Sequence, residues 1–315
     1  MRDCIMVVGS GMMGSGIGAM SALAGNRTIL VDVDEAHVRS GMEKAMACID
    51  LRVGNGLNTA EEAEEAKKRM ETSIDMLKAA ASARMVIEAV VEQLEVKQAL
   101  FAKLDEVLPV EVPICSNTSG LRITDISGTC KKPERTVTTH FWLPAHLVPL
   151  VEVVMGEKTE RVVAEGVRDE LKKWKKSPVL VQRDLPGQLA NRVFQAIIRE
   201  SVAIVASGLA SAEDVDTAIS CGMAMRFPEW GPLKHLDAIG LNLGLDVQEA
   251  VLPDICADRQ ANEYLRHMVE EGNLGAKTGK GFYDWSKLSL EEDMAKRDKF
   301  IIEAVKITSE LNRSV

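Results

Sequence analysis

Short β-branched, apolar runs alternate with helical spacings through the first half of the chain. Residues 5–8 form a compact apolar run, 17–24 follow with helical spacing, 28–33 are again β-rich, and 35–52 make a long helical stretch. Residues 85–91 are a strong strand candidate, followed by a helical run over 94–108 and further strand candidates at 112–116 and 137–141. This alternation predicts a parallel sheet with crossover helices. Residues 59–71 predict a charged, alanine-rich helix with an acidic start (Glu61, Glu62, Glu64, Glu65) and a basic end (Lys67, Lys68, Arg69), matching the helix dipole. A charge run of this kind reads as a solvated face rather than a binding face.

The pattern changes at Asp184-Leu185-Pro186-Gly187. Beyond it β-branched runs thin out, and helical spacing dominates over 190–208, 213–222, 240–252, 258–271 and 290–311. The Pro-Gly pair is therefore read as a boundary between residues 1–184 and 185–315. A length of 315 residues suits about two domains, and 46% hydrophobic with 27% charged residues is ordinary for a globular protein.

Charge and cysteine usage narrow the function classes. A net charge of −9 argues against nucleic acid as a partner, because phosphate binding at large needs a basic surface. It leaves room for a pyrophosphate held at a helix N-terminus. No run approaches the roughly 20 apolar residues that span a bilayer, so no membrane partner is expected. Met1-Arg2-Asp3-Cys4 leads into a run that reaches glycine within a few residues, which fits a buried strand and not an exported leader. The six cysteines (Cys4, Cys48, Cys115, Cys130, Cys221, Cys256) are scattered without a Cys-x-x-Cys pair, so neither disulfides nor a zinc cluster is expected, and a reducing cytoplasm is the simplest setting.

Gly9-x-Gly11-x-x-Gly14 is a weak signal alone, but a strand precedes it, a helix follows, and a second strand ends in Asp32. These glycines suit a tight turn, close approach of a pyrophosphate, and close helix–strand packing. Asp32 lies 21 residues after Gly11, where an acid hydrogen-bonds ribose hydroxyls and repels a 2′-phosphate. No arginine follows until Arg39, so NAD is expected in preference to NADP. The fold class is then α/β, a Rossmann-type dinucleotide-binding domain followed by an all-α domain.

Hydride transfer from a secondary alcohol needs a base for the hydroxyl proton, and histidine is the commonest choice near neutral pH. Of His37, His140, His146, His235 and His267, His140 is best placed, at the end of a strand where open α/β sheets bind ligands. The spacing of His140 and His146 matches no common metal motif. A lone histidine needs a partner. Glu152, within Leu150-Val151-Glu152-Val153-Val154, is either an outward-facing strand residue or that partner.

At this point the chain resembles, nearly end to end, the L-3-hydroxyacyl-CoA dehydrogenase family. The resemblance is carried in order by the glycine loop with Met13, by Glu88-Ala89-Val90-Val91-Glu92 with Lys97, by Ser116-Asn117-Thr118-Ser119 and by His140-Phe141-Trp142-Leu143-Pro144. It continues through Leu147–Val153, then Pro186-Gly187 with Asn191-Arg192, and closes with Gly275-Ala276-Lys277-Thr278-Gly279-Lys280-Gly281-Phe282-Tyr283. The resemblance implies oxidation of an L-3-hydroxyacyl substrate, by default a short-chain 3-hydroxybutyryl-CoA of fatty acid metabolism. His140 would be the general base in oxidation and acid in reduction, and Glu152 would orient it. Ser119 and Asn191 would hydrogen-bond the reacting oxygen. Gly9, Gly11, Met12, Met13, Gly14, Asp32, Glu92, Lys97, Ser119 and Lys277 would hold the cofactor. The helical domain would bind substrate and pair two subunits into a homodimer.

Three features depart from the family pattern. Leu143 replaces an asparagine in the histidine motif. The segment 60–71 is net acidic where coenzyme A-binding members are lysine-rich. The run Met223-Ala224-Met225-Arg226-Phe227-Pro228 carries an arginine, as in relatives acting on free hydroxy acids, the gulonate and carnitine dehydrogenases and lambda-crystallin. Arg226 either binds a substrate carboxylate bidentately or is a surface residue. The alternatives to the acyl-CoA reading are thus a free 3-hydroxy acid dehydrogenase and, in another class, a crystallin-like, non-catalytic NADH-binding protein. The presence of Ser119, His140, Glu152 and Asn191 together argues against the last.

Overall fold

The computed structural model describes residues 2–311. The chain divides into two compact units, Met1–Ala190 and Asn191–Val315. In the first unit the elements run β1 (Cys4–Val8), α1 (Met12–Leu23), β2 (Arg27–Val31), α2 (Glu35–Gly54), α3 (Ala60–Lys68), β3 (Met70–Ser73), α4 (Met76–Ala80), β4 (Ala83–Glu88), α5 (Leu94–Val107), β5 (Ile114–Ser116), α6 (Ile123–Ile126), β6 (Thr136–Phe141), β7 (Leu150–Val154), α7 (Arg161–Lys173) and β8 (Ser177–Val181). The strands form one sheet in the order β3-β2-β1-β4-β5-β6-β7-β8. This is a Rossmann-type α/β unit, and the second unit is all-helical.

The apolar pattern of β1 explains why it is central. All five of its residues are buried, and alternate side chains feed opposite faces. Ile5 and Val7 pack into the layer that holds Ile17 of α1, Ala45 and Ile49 of α2, and Leu171 of α7. Cys4, Met6 and Val8 pack into the layer that holds Phe101 and Leu104 of α5 and Ile123 and Ile126 of α6. Helix α1 lies tight against the sheet because Gly14 lets it: a Cβ there would stand 1.8 Å from the Gly9 carbonyl oxygen. Gly9 itself has φ of +92°, a left-handed conformation that favours glycine.

Two departures from the expected pattern have physical reasons. The helix expected over 59–71 does start at a capping box, Thr59 with Glu62, but stops at Lys68. Met70 is buried and opens β3, which pairs in parallel with β2 from Thr28↔Met70. The sheet is also not wholly parallel. Only residues 142–149 join β6 to β7, too few for a helical crossover, which takes a dozen or more. Strand β7 therefore returns antiparallel to β6, in a register that sets His140 opposite Glu152. Helix α7 then carries the chain back to place β8 parallel to β7. The apolar pattern of the sequence marked none of β3, α4, α7 or β8.

The second unit contains α8 (Ala190–Ala206, whose first residue still belongs to the first unit), α9 (Ala212–Ala218), α10 (Pro232–Ile239), α11 (Leu241–Val251), α12 (Glu263–Glu270) and α13 (Leu290–Leu311). The helix expected over 213–222 turns π-helical at Ile219–Met223 and 3-10 at Ala224–Arg226. Ser211 and Asn262 cap α9 and α12 through their side chains. Among the described residues of this unit, the buried hydrophobic side chains are Val202, Val215 and Ile302, while Leu233, Leu241, Leu245 and Leu252 are all more than half exposed. An apolar cavity of about 760 Å³ lies between α8, α9, α12 and the loop through Tyr283. No helix among the described residues is long and apolar enough to cross a membrane.

Candidate active site

The C-terminal ends of β1, β2, β4, β5 and β6 bring the expected residues of the first unit to one edge of the sheet, where open α/β folds bind ligands. At the first loop, Ser10 joins β1 to β2. Its N–H and hydroxyl both donate to Asp32 Oδ2 at 2.7 Å, and Val33 N–H donates to Asp32 Oδ1 at 2.8 Å. Partial burial opposes the charge of Asp32, but these donors outweigh it and hold the carboxyl below its ordinary range. Helix α1 begins at Met12 with no side-chain cap on its Gly11 N-terminus. A Cβ at Gly11 would meet nothing within 4 Å, so open space faces the uncapped helix end. Met12 is exposed and Met13 half-buried against the core. An open helix N-terminus that donates N–H groups, followed by a fixed, ionised carboxylate that accepts, fits a pyrophosphate and the hydroxyls of an adjacent ribose, as NAD requires.

The next two loops are fastened by carboxylates. Glu92 accepts from the Thr118 hydroxyl at 2.5 Å and from Ser119 and Gly120 N–H at 3.0 Å each. Behind it Lys97, 1% exposed, pairs with Glu92 at 3.3 Å and closely with the fully buried Glu88. Glu88 also accepts from the Ser116 hydroxyl at 2.7 Å and the Val90 N–H at 2.8 Å. The structure thus places Lys97 beneath the loop that carries Ser119, not on its surface. Glu88, which the sequence reading gave no role, is the anchor at the base. A buried carboxylate at a strand end, nine residues before a lysine on the following helix, was the available signal.

The third loop holds the acid/base candidates. Ser119 Oγ lies 3.0 Å from His140 Nε2, and His140 Nδ1 lies 2.7 Å from Glu152 Oε2. Glu152 is fully buried, resolving its two possible orientations in favour of the paired one. Its Oε2 also accepts from Trp142 Nε1–H at 3.0 Å, and its Oε1 accepts from Leu189 and Ala190 N–H at 2.8 Å each. Burial alone would raise this carboxyl, yet the bonds from His140, Ala190, Trp142 and Leu189 pull it down to about 2. With Glu152 ionised, Nδ1 of the ring carries its proton toward the carboxylate and Nε2 is left to accept one. Asn117 steadies this edge by accepting Phe141 N–H at 2.9 Å.

Asn191, Arg226 and Lys277 belong to the second unit. Asn191 is half-buried at the start of α8, Arg226 is exposed at the end of a 3-10 turn, and Lys277 is exposed in a tight loop closed by Gly275 N–H to Lys280 O at 2.8 Å. Trp142, Leu189 and Ala190 are the donors that sequence reasoning missed. Trp142 had a legible signal, since it stands two positions beyond His140 and such residues share a face of an extended strand. The backbone donors had none.

The chain matches known proteins along most of its length. Residues 4–185 match the 3-hydroxyacyl-CoA dehydrogenase NAD binding domain, and residues 187–285 match the 3-hydroxyacyl-CoA dehydrogenase C-terminal domain. The chain is 36% identical over 283 residues to 3-hydroxyadipyl-CoA dehydrogenase of Escherichia coli (strain K12), covering 89% of this chain but spanning 58% of that relative's length. It superposes with a TM-score of 0.87 at 27% identity on a crystal structure of 5-formyl-3-hydroxy-2-methylpyridine 4-carboxylic acid 5-dehydrogenase, an NAD+ dependent dismutase, over 98% of this chain and 99% of that one. With (S)-3-hydroxybutyryl-CoA dehydrogenase from Ralstonia eutropha the TM-score is 0.74 at 31% identity, over 91% and 100%. The chain belongs to the 3-hydroxyacyl-CoA dehydrogenase family and is an NAD-dependent oxidoreductase.

The state of Glu152 makes a prediction about acid stability. Folding depresses this carboxyl from its ordinary 4.5 to about 2, so its contribution is complete above 4.5 and is lost as pH falls toward 2. The shift corresponds to up to about 3 kcal/mol. Urea unfolding should show Glu152→Gln less stable than wild type near neutral pH, with the gap closing across that acid window. A gap that stays constant through the window would contradict the paired, ionised Glu152.

Proposed function

We propose that the chain oxidises the secondary alcohol of a 3-hydroxyacyl substrate to the 3-oxo form, and catalyses the reverse reduction, with His140 as the acid/base. The observation that carries this reading is the continuous line from Ser119 Oγ through His140 to Glu152. His140 Nε2 accepts the substrate hydroxyl proton, and ionised Glu152 stabilises the imidazolium that results. Ser119 and Asn191 hydrogen-bond the reacting oxygen and polarise it as carbonyl character develops. The nicotinamide, when bound, supplies the hydride acceptor. Gly9, Gly11, Met12, Met13 and Gly14 hold the pyrophosphate and Asp32 the ribose. Glu92 and Lys97 support that surface from below through the Ser119 loop.

A second reading of the substrate is favoured by a specific observation. The cations of α3 and its flank are already committed. Lys67 pairs with Asp50 at 2.7 Å and Glu64 at 3.2 Å, Lys68 with Glu65 at 2.8 Å, Arg69 with Glu65 at 3.6 Å, and Lys175 with Glu62 at 3.5 Å. A coenzyme A phosphate arriving here would meet carboxylates rather than free ammonium groups. Arg226, by contrast, makes no ion pair among the described residues. The solved structure with the higher TM-score is named for a pyridine carboxylic acid. These points favour a free hydroxy acid whose carboxylate Arg226 pairs bidentately.

The second unit supports a homodimer. It buries little of its own apolar surface, and Leu233, Leu241, Leu243, Leu245, Val247 and Leu252 stand exposed along α10 and α11. Exposed apolar stretches of this extent mark an interface, and a second copy of the same helices offers a matching apolar face.

Two measurements follow. NADH consumption with acetoacetyl-CoA and with free acetoacetate should be compared in wild type, His140→Ala and Arg226→Ala. His140→Ala should lose roughly 10²–10⁴-fold in kcat while still binding NADH, and Arg226→Ala should impair the free acid alone. Unchanged turnover without His140 would end the mechanism, and a faster thioester reaction indifferent to Arg226 would return the substrate to coenzyme A. Sedimentation equilibrium should give twice the 34.4 kDa chain mass at micromolar concentration. A monomer there would refute the pairing.

A further inference from the structure

Glu152 holds donors on both oxygens, and they differ in kind. Leu189 and Ala190 present backbone N–H groups to Oε1. Oε2 is shared by two side chains, His140 Nδ1 at 2.7 Å and Trp142 Nε1–H at 3.0 Å. Two donors on each oxygen fill the acceptor capacity of a carboxylate. The indole and imidazole rings stand on the same side of the strand end, their centroids 5.7 Å apart and their planes tilted by 53°. Trp142 is half-buried, so its N–H is directed at this carboxylate rather than left to water.

Charged and apolar groups on the neighbouring elements complete the surroundings of the dyad. On the Ser119 loop, Glu92 lies 3.3 Å from Lys97, which it shares with Glu88, and accepts from the Ser119 and Gly120 N–H groups. Lys176 lies 5.9 Å from the Phe141 ring centre, with its ammonium donated to the Ala145 and Val148 carbonyls. On β8 the residue beside Glu152 is the apolar Val179. No other side chain with a permanent, uncharged N–H touches Oε2 among the described residues.

We propose that Trp142 is a positioning residue for the acid/base step: its indole N–H fixes Glu152 Oε2 opposite His140 and draws off part of the negative charge that faces the imidazole. The inference rests on the reading of His140 as the base, and it acts through Glu152 rather than on the reacting atoms. A carboxylate that gives up one donor concentrates its charge on the remaining one. Removing the indole N–H therefore strengthens the hold of Glu152 on the protonated ring. Oxidation, which needs the unprotonated ring, then requires a higher pH, and a carboxylate no longer fixed by the indole lowers kcat without weakening cofactor binding.

The test uses two replacements in the full-length protein. Trp142→Phe keeps an aromatic ring, and benzothienylalanine at position 142 keeps the indole shape while sulfur replaces the N–H. Both should lower kcat for oxidation by about threefold to tenfold, the worth of one ordinary hydrogen bond. Both should leave the NADH dissociation constant unchanged and move the pH of half-maximal oxidation upward by about half a pH unit. In proton NMR the downfield resonance of the His140–Glu152 hydrogen bond should move further downfield. An unmoved resonance and an unmoved pH profile, even with a lower kcat, would show a merely structural tryptophan and overturn the proposal. A resonance that moves while the rate profile does not would uphold the positioning of the ring and overturn the assignment of His140 as the base. Should Trp142→Phe fail to fold, the isosteric replacement alone decides the outcome.

Discussion

A carboxylate lodged inside a sheet must be ionised and fully bonded, or it must take up a proton. Glu152 meets the first condition because donors from two separate stretches of chain converge on it: the end of β6 with His140 and, just beyond it, Trp142, and the backbone at Leu189 and Ala190 where the chain leaves the sheet. Removing one partner of such a buried arrangement leaves a charge uncompensated, at a cost typically of about 3–5 kcal/mol. The antiparallel return of β7 is what makes the convergence possible. A parallel β7 would carry residue 152 in a different register from His140, and the short 142–149 connection rules that topology out.

The same device recurs along the sheet edge. Asp32 fixes the glycine loop by accepting from Ser10, and Glu92 fixes the serine loop by accepting from Thr118, Ser119 and Gly120. Each carboxylate is held in its charged form by N–H and O–H donors despite partial burial. Each lies at a loop on the C-terminal edge of the sheet. The loops are thus fastened by hydrogen bonds to charged groups, which suits a site whose chemistry depends on fixed distances. Lys97 and Glu88 extend this support into the core, so a lysine that reads as a ligand group in the sequence is buried scaffolding in the fold.

Much of this is legible in the sequence. The alternation of apolar runs and helical spacings marked β1, β2, β4, β5 and β6, and the glycine loop with Asp32 marked the cofactor edge. Short or edge elements escaped. β3 is four residues of Met-Glu-Thr-Ser with one buried side chain, and β8 contains a proline, so neither shows a strong apolar period. The orientation of Glu152 could not be read from alternation, because both faces of a central strand are covered and neither is a solvent side. The charge run of α3 reads as a solvated face in the sequence, and the structure adds that its bases are paired with its own and neighbouring acids. The backbone donors at Leu189 and Ala190 leave no trace in residue types at all.

In the proposed mechanism His140 and Glu152 act as one unit held together by a single buried hydrogen bond. A double-mutant cycle on kcat for oxidation, using His140→Ala, Glu152→Gln and the pair, tests it most directly. The account predicts that the double variant is about as slow as His140→Ala alone, because Glu152 has nothing left to orient. Losses that multiply, each variant slowing the reaction independently of the other, would contradict it.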